Sequence, residues 1–172
     1  MRSAFTFGIG GGLVAALVTV VPALIAAPAH GRLAEYLGLA AGLLAVHLGM
    51  RALARERATL ARRLAHAALL ASTLSVLVGL GLYGLYEFLR PELLAARLAA
   101  YEHSVATSGA APARVAGELA RLEASRAAYL DPPYQALQGA STLFFFAMLL
   151  GGYGAWRAHL ACRLARGRAP QV

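Results

Sequence analysis

With 172 residues the chain is long enough for one domain. Its apolar share of 59% and charged share of 14% stand against roughly 45–50% and about 25% in soluble globular domains, and exclude an ordinary soluble fold. The net charge of +8 comes from 16 basic residues, all arginine; they bunch beside long charge-free runs, which argues against nucleic acid as a partner.

No charged residue, histidine counted neutral, lies between Arg2 and Arg32. A bilayer core of ~30 Å is crossed by about 20 mainly apolar residues in a helix, so a first span is predicted near 5–27. It contains FGIGGGLVAALVTVV, whose glycines invite a phosphate-cradling reading. A dinucleotide fingerprint needs G-x-G-x-x-G after a strand and before a helix. Here Gly8 and Gly10 fit, but Leu13 holds the third position and no room for a buried strand precedes the motif. Close helix packing explains the glycines better, because small residues let membrane helices approach one another. The same spacing recurs in Gly8 and Gly12, in Gly38 and Gly42, in Ala71, Ser75 and Gly79, and in Ala147, Gly151 and Ala155. Together these predict a tight bundle with scope for an oligomeric face. Arg2, the apolar run and Ala27-Pro28-Ala29 also outline a cleavable signal peptide. The run is about 23 residues against ~7–15 in signal cores, which favours retention.

The second run, YLGLAAGLLAVHLGM between Glu35 and Arg51, is shorter. Arg32, Leu33 and the long Arg51 side chain extend it by snorkelling, giving a span near 33–52. The following RALARERATLARR (51–63) carries five arginines and one acid, Glu56. It reads as a topology determinant; the alternative is binding of anionic lipid head groups, at about 1 kcal/mol per arginine.

The third run lies between Arg63 and Glu87 and predicts a span near 65–89. His47 and His66 flank the basic loop and should sit at similar depth, with His159 at the same level. Two imidazoles on neighbouring helices can ligate haem iron or a metal ion. No further ligand motif accompanies them, and hydrogen bonding to backbone or water is the plainer role. Glu87, near Arg90, reads as half of an interfacial ion pair, with the start of a proton or cation path as the sharper alternative. Ser72, Thr73, Ser75, Gln135, Gln138, Ser141 and Thr142 are candidates for hydrogen bonds between helices. A nucleophilic serine would need an adjacent base, and only His66 is near enough to Ser72 or Ser75. No catalytic, cofactor-binding or metal residues emerge.

PELLAARLAAYEHSVA reads as a helix, with Pro91 at its start and Leu94, Leu98, Tyr101 and Val105 on one face. TSGAAP breaks it at Gly109 and Pro112. ARVAGELARLEASRAAYL forms a second helix with Val115, Leu119, Leu122 and Tyr129 on one stripe, until Asp131-Pro132-Pro133 stops it. The pair, about 91–130, predicts a helical hairpin with paired charges such as Glu118 with Arg121 and Glu123 with Arg126. The last charge-free run, between Asp131 and Arg157, gives a fourth span near 134–158. Cys162 has no partner for an internal disulfide and belongs to no metal pattern.

Short arginine-rich segments stay cytoplasmic. The 51–63 loop and the tail with Arg157, Arg163, Arg166 and Arg168 therefore place both termini inside and the hairpin outside. Tyr36, Tyr83, Tyr86, Phe88 and Tyr134 mark the outer boundary, Tyr153 and Trp156 the inner one.

On the glycine-containing first helix, EYLGLAAGLLAVHLGMRALARERA and YEHSVATSGAAPARVAGELARLEASRAAYLDPPYQAL, the sequence resembles domain-of-unknown-function family 4199, small bacterial integral membrane proteins. ATLARRLAHAALLAS stands where that family typically carries a glycine and a phenylalanine. The resemblance implies four spans, an arginine-containing loop after the second and a helical insert before the last. It implies no activity, cofactor or substrate.

The expectation is an all-α polytopic membrane protein, one membrane domain over 1–172, with an external helical hairpin between the third and fourth transmembrane helices. The expected location is the cell inner (plasma) membrane. Its expected role is non-enzymatic, structural or accessory, with the lipid bilayer and itself or another membrane protein as partners and no cofactor. A small transporter or channel subunit is the alternative, and a haem or metal carrier through His47 and His66 the remote one.

Overall fold

The computed structural model describes residues 2–25, 31–54 and 58–167. They form six α-helices and, among the described residues, no strand: α1 (Arg2–Ile25), α2 (Gly31–Ala54), α3 (Leu60–Gly84), α4 (Glu92–Ala106), α5 (Pro112–Leu130) and α6 (Pro132–Gly167). A π-helical turn, Leu85–Leu89, continues α3. Ala27, Pro28 and Ala29, on which the signal-peptide reading turned, lie outside the described residues, as do Glu56 and Arg168.

Local chemistry sets the helix ends. Thr59, in extended conformation, caps α3 by accepting a hydrogen bond from the Arg62 N–H at 3.3 Å. Gly109 (φ +69°) takes the left-handed conformation between α4 and α5 that costs a side chain most. Pro112 opens α5, where a missing N–H is no loss. Asp131 both follows α5 and caps α6, its Oδ2 accepting from the Tyr134 N–H at 3.0 Å.

Four helical stretches are long and apolar enough to cross a membrane: Thr6–Ile25, Glu35–Leu53, Leu60–Leu89 and Pro132–Leu164. The fourth is longer than the expected span, because the helix runs on past His159 to Gly167. Its 36 residues extend about 54 Å at 1.5 Å per residue, well beyond a ~30 Å hydrocarbon core.

α1 lies against α2 and α3, and α6 lies against α3 and α2. Going round the bundle, the order is therefore α1, α2, α6, α3. Small residues make these approaches possible. A Cβ on Gly12 would meet Leu77 Cδ1 at 2.8 Å, and one on Gly151 would meet Ala67 Cβ at 2.8 Å. Gly8, Gly12, Gly38, Gly42, Ala71, Ser75, Ala147, Gly151 and Ala155 are buried and Gly79 is half-buried, so the predicted stripes are largely consumed inside the chain. Leu13, Leu17, Leu44, Val76, Phe145 and Leu149 point outward from the four helices, as a lipid-facing surface requires.

The basic segment is not one loop. Arg51 lies in the last turn of α2, while Arg62 and Arg63 belong to the first turn of α3. Arg63 is 1% exposed. It donates from Nε to Ala58 O (3.3 Å) and from Nη1 to Leu53 O (3.4 Å), with Nη2 4.0 Å from Cys162 Sγ. A cation there serves one carbonyl at the C-terminal end of α2, Leu53 O, and one just before α3, Ala58 O, and joins α2, α3 and α6. Arg63 is thus a packing residue, closed to lipid head groups.

Candidate functional site

The hairpin returns to the bundle through a polar cluster at the end of α3. The π turn brings Leu85 and Tyr86, adjacent in sequence, both into the interior, at 0% and 1% exposure. Arg90 then breaks the helix, its N–H bonding Leu85 O at 2.7 Å. Its side chain pairs with Glu92 and donates from Nη1 to Leu24 O (3.0 Å) and Ala23 O (3.4 Å), covering the C-terminal carbonyls of α1. α4 starts immediately afterwards and packs Leu93, Leu94 and Leu98 against the bundle.

Arg97 lies on that same inward face. Its Nη1 donates to Glu35 Oε1 at 2.5 Å and to the Tyr86 hydroxyl at 2.7 Å. The Tyr86 hydroxyl donates to the same Glu35 oxygen at 2.5 Å. The guanidinium carbon also sits 5.3 Å from the Tyr86 ring centroid, within cation–π range. Burial alone would lower the Arg97 pKa, but Tyr86 and Glu35 outweigh it and hold the group above its ordinary value. Arg97 stays a cation. Its Nε and Nη2 are buried and have no hydrogen-bond partner among the described residues.

Beside this cluster lies a cavity of about 470 Å³ between α2, α3, α6 and the hairpin. Its polar wall carries Arg97, Glu35, Tyr101, Tyr129 and Gln138. Its apolar wall carries Leu39, Val78, Leu82 and Leu143, from the bundle side. Gln135, which also lines it, donates from Nε2 to Ala128 O at 3.1 Å and so holds α5 to α6. Leu94 and Leu98 from the hairpin and Thr19 and Thr142 from the bundle line it as well, so polar and apolar groups mix around it.

Of the residues singled out from sequence, Tyr86 belongs to the cluster and Gln135, Gln138 and Thr142 line the cavity, while the histidines and Glu87 take other places. His47 is exposed on α2 and His66 is buried in α3, so the two imidazoles face opposite environments. No group of three or more potential metal-ligating side chains occurs among the described residues. Glu87 is exposed, and the ion pair recorded for Arg90 is with Glu92. Thr73 and Thr142 donate to carbonyls of their own helices, Leu69 O and Gln138 O, instead of bridging to a neighbour. Tyr36, Phe88, Tyr134, Tyr153 and Trp156 are exposed, as boundary aromatics should be. Tyr83 is half-buried against the core, and Tyr86 is drawn fully inward because its hydroxyl has partners there.

Glu35 and Arg97 were not picked out from sequence, although one signal existed. Arg97 stands three residues after Leu94 and four before Tyr101, on the apolar stripe itself. An arginine on such a stripe calls for a buried partner. The chain has no match among known protein families, curated proteins or solved structures. The resemblance to domain-of-unknown-function family 4199 therefore rests on the sequence outline alone.

Proposed function

We propose that the chain is a multi-pass inner-membrane protein of non-enzymatic, accessory kind, which receives a ligand or partner in the cavity under its external hairpin. The observation that carries this reading is the Glu35–Tyr86–Arg97 cluster, which fastens the hairpin over one end of the bundle next to a cavity of about 470 Å³. Its wall offers phenols, amides and a guanidinium, suited to holding a guest, rather than a nucleophile with an adjacent base. The arginines at Arg51, Arg62, Arg157 and Arg163 favour a cytoplasmic position for the opposite end and for both termini. Membership of domain-of-unknown-function family 4199 belongs to the same reading, through the shared outline of four spans and an insert.

Two measurements test it. Reporters fused at Gly109 and at the carboxyl end should report opposite compartments, and carbonate washing should leave the protein in the vesicles. The same compartment for both, or release by carbonate, overturns the membrane topology. A photoreactive residue at position 129, at the cavity wall, should give adducts with lipid or protein in membranes of growing cells. Absence of any adduct overturns the receiving role.

A further inference from the structure

We infer that the outer seam between α2 and α6, at the arginine-rich end of the bundle, binds an anionic phospholipid, its phosphate held between Arg51 and Arg157. The inference goes beyond the cavity and rests only on the reading of the chain as a membrane protein. α2 and α6 run the same way and come close at glycines. A Cβ on Gly151 would meet Val46 Cγ1 at 3.8 Å, and one on Gly154 would meet Met50 Cβ at 3.6 Å. Arg51 follows Met50 directly and Arg157 stands one turn beyond Gly154, so their Cα atoms lie within about 3 Å of one level. The step from Met50 to Arg51 turns ~100° one way about α2, while that from Gly154 to Arg157 amounts to ~60° the other way about α6. On neighbouring helices of the same direction, opposite turns lead to the same side of the seam. That side is the outer one, since the reverse step on α2, from Val46 to Ala45, leads to Gly11 of α1. His47 shares its face of α2 with Arg51, as Tyr153 shares its face of α6 with Arg157, and all four side chains are exposed.

Charge and depth identify the occupant. Neither Arg51 nor Arg157 meets a carboxylate among the described residues. The described carboxylates, Glu35 and those from Glu87 to Asp131, belong to the hairpin end. Exposed Tyr153 and Trp156 mark the level of Arg157 as the membrane interface. His47 and Tyr153 stand one turn nearer the bilayer centre, where imidazole and phenol suit the glycerol region of a lipid. Deeper still, Leu44, Leu48 and Leu149 are exposed and offer hydrocarbon to acyl chains. A topology signal needs only positive charge in the right compartment. Two arginines from distant parts of the chain, matched in level across one seam above an apolar wall, meet the stricter demand of a head group. The planar guanidinium fork fits phosphate oxygens, and basic sites between transmembrane helices take up anionic lipid heads. A lipid is the occupant, and not a free phosphate, because the chains add the apolar contact that an open, watery arginine pair lacks.

Trp156, the single tryptophan of the chain, adjoins Arg157 and supplies the readout. The full-length protein in phosphatidylcholine bilayers is titrated with phosphatidylglycerol brominated in its acyl chains. Quenching of Trp156 is compared with that by brominated phosphatidylcholine. Phosphatidylglycerol should bind about tenfold more tightly. Arg51→Gln and Arg157→Gln should each lower that preference about fivefold, the factor one arginine contributes near a membrane surface, with the melting temperature unchanged. Arg163→Gln removes another exposed arginine of α6, further along the helix and away from the seam. At ~0.15 M salt it should change the preference no more than about twofold. Equal quenching by the two lipids, or wild-type preference in both seam variants, overturns the site. A loss in Arg163→Gln equal to that in Arg157→Gln overturns the seam in favour of overall charge. Relief of phosphatidylglycerol quenching by inorganic phosphate at matched ionic strength overturns a lipid as the occupant. No quenching by either brominated lipid would overturn the membrane reading itself, whereas failure of the seam alone leaves that reading and the receiving cavity standing.

Discussion

At one end of the bundle Arg63 is enclosed, 1% exposed, with its guanidinium directed at the carbonyls of Leu53 and Ala58. At the hairpin end Arg97 is 18% exposed in its side chain, faces a carboxylate and a phenol, and borders a cavity. Both arginines join three or more elements, yet they do so with different chemistry. Backbone carbonyls at a helix terminus are fixed acceptors that come with the fold, so Arg63 closes its end permanently. Side-chain acceptors leave one edge of Arg97 uncommitted. The contrast separates an arginine fixed by backbone carbonyls from one held by side chains, with two of its nitrogens buried and unpaired.

The largest effect should come from the closed end. Arg63→Ala leaves the carbonyls it reaches without their donor and opens a void beside Cys162. It should cost roughly 2–4 kcal/mol of stability, measured by denaturant titration in detergent. A loss within error would mean that Arg63 holds nothing, and the contrast between the two ends would fail. Tyr86→Phe comes next. It removes the hydroxyl that donates to Glu35 and accepts from Arg97 while keeping the ring, and should cost about 1–2 kcal/mol in the same titration. An effect as large as that of Arg63→Ala would make the hairpin end equally structural.

Much of the fold was legible because a bilayer imposes a one-dimensional rule: a span must be apolar for about 20 residues. The charge-free runs between charged residues such as Arg2 and Arg32 map onto helices for that reason. The stripe at Gly8 and Gly12 was legible too, since a gap of four residues returns to one helix face, which here meets Thr73 and Leu77. The site was not. Tyr86, Glu35 and Arg97 come from three separate elements, 51 and 62 residues apart along the chain for the two contacts to Glu35. Periodicity within one helix says nothing of which distant helix supplies a partner. Tyr86 also depends on the π turn, whose extra residue per turn alters which side chains face inward. Arg63 was hidden differently, because charge counting treats every arginine in a basic segment alike.

Arg90 should rank third. It reaches Ala23 O and Leu24 O at the end of α1, as Arg63 reaches Leu53 O at the end of α2, but its side chain is 24% exposed. Solvent can replace part of what it donates, so Arg90→Ala should cost about 1 kcal/mol. The comparison of Arg90→Ala with Arg63→Ala sets a partly exposed cation at one helix C-terminus, with Glu92 as a second partner, against a buried one at another. Equal losses in the two variants would show that burial is not what sets the value of such a contact.

The smallest effect belongs to Glu92, which is exposed and pairs with Arg90. The hydrogen bond from Arg90 holds its carboxyl below the ordinary value of 4.5. The folded state therefore binds the proton less readily than the unfolded chain. Its contribution is present above that ordinary value and is lost as the pH falls through the lower folded value. Solvent screens the pair, so its part of the acid destabilisation should be slight. Comparing melting temperatures of the wild type and Glu92→Gln between about pH 6 and pH 3 measures it. The wild type should lead slightly at the upper end and the difference should vanish at the lower end. A difference that instead grows as the pH falls would mean that the Glu92 carboxyl is raised on folding, and that Arg90 is anchored by the α1 carbonyls alone.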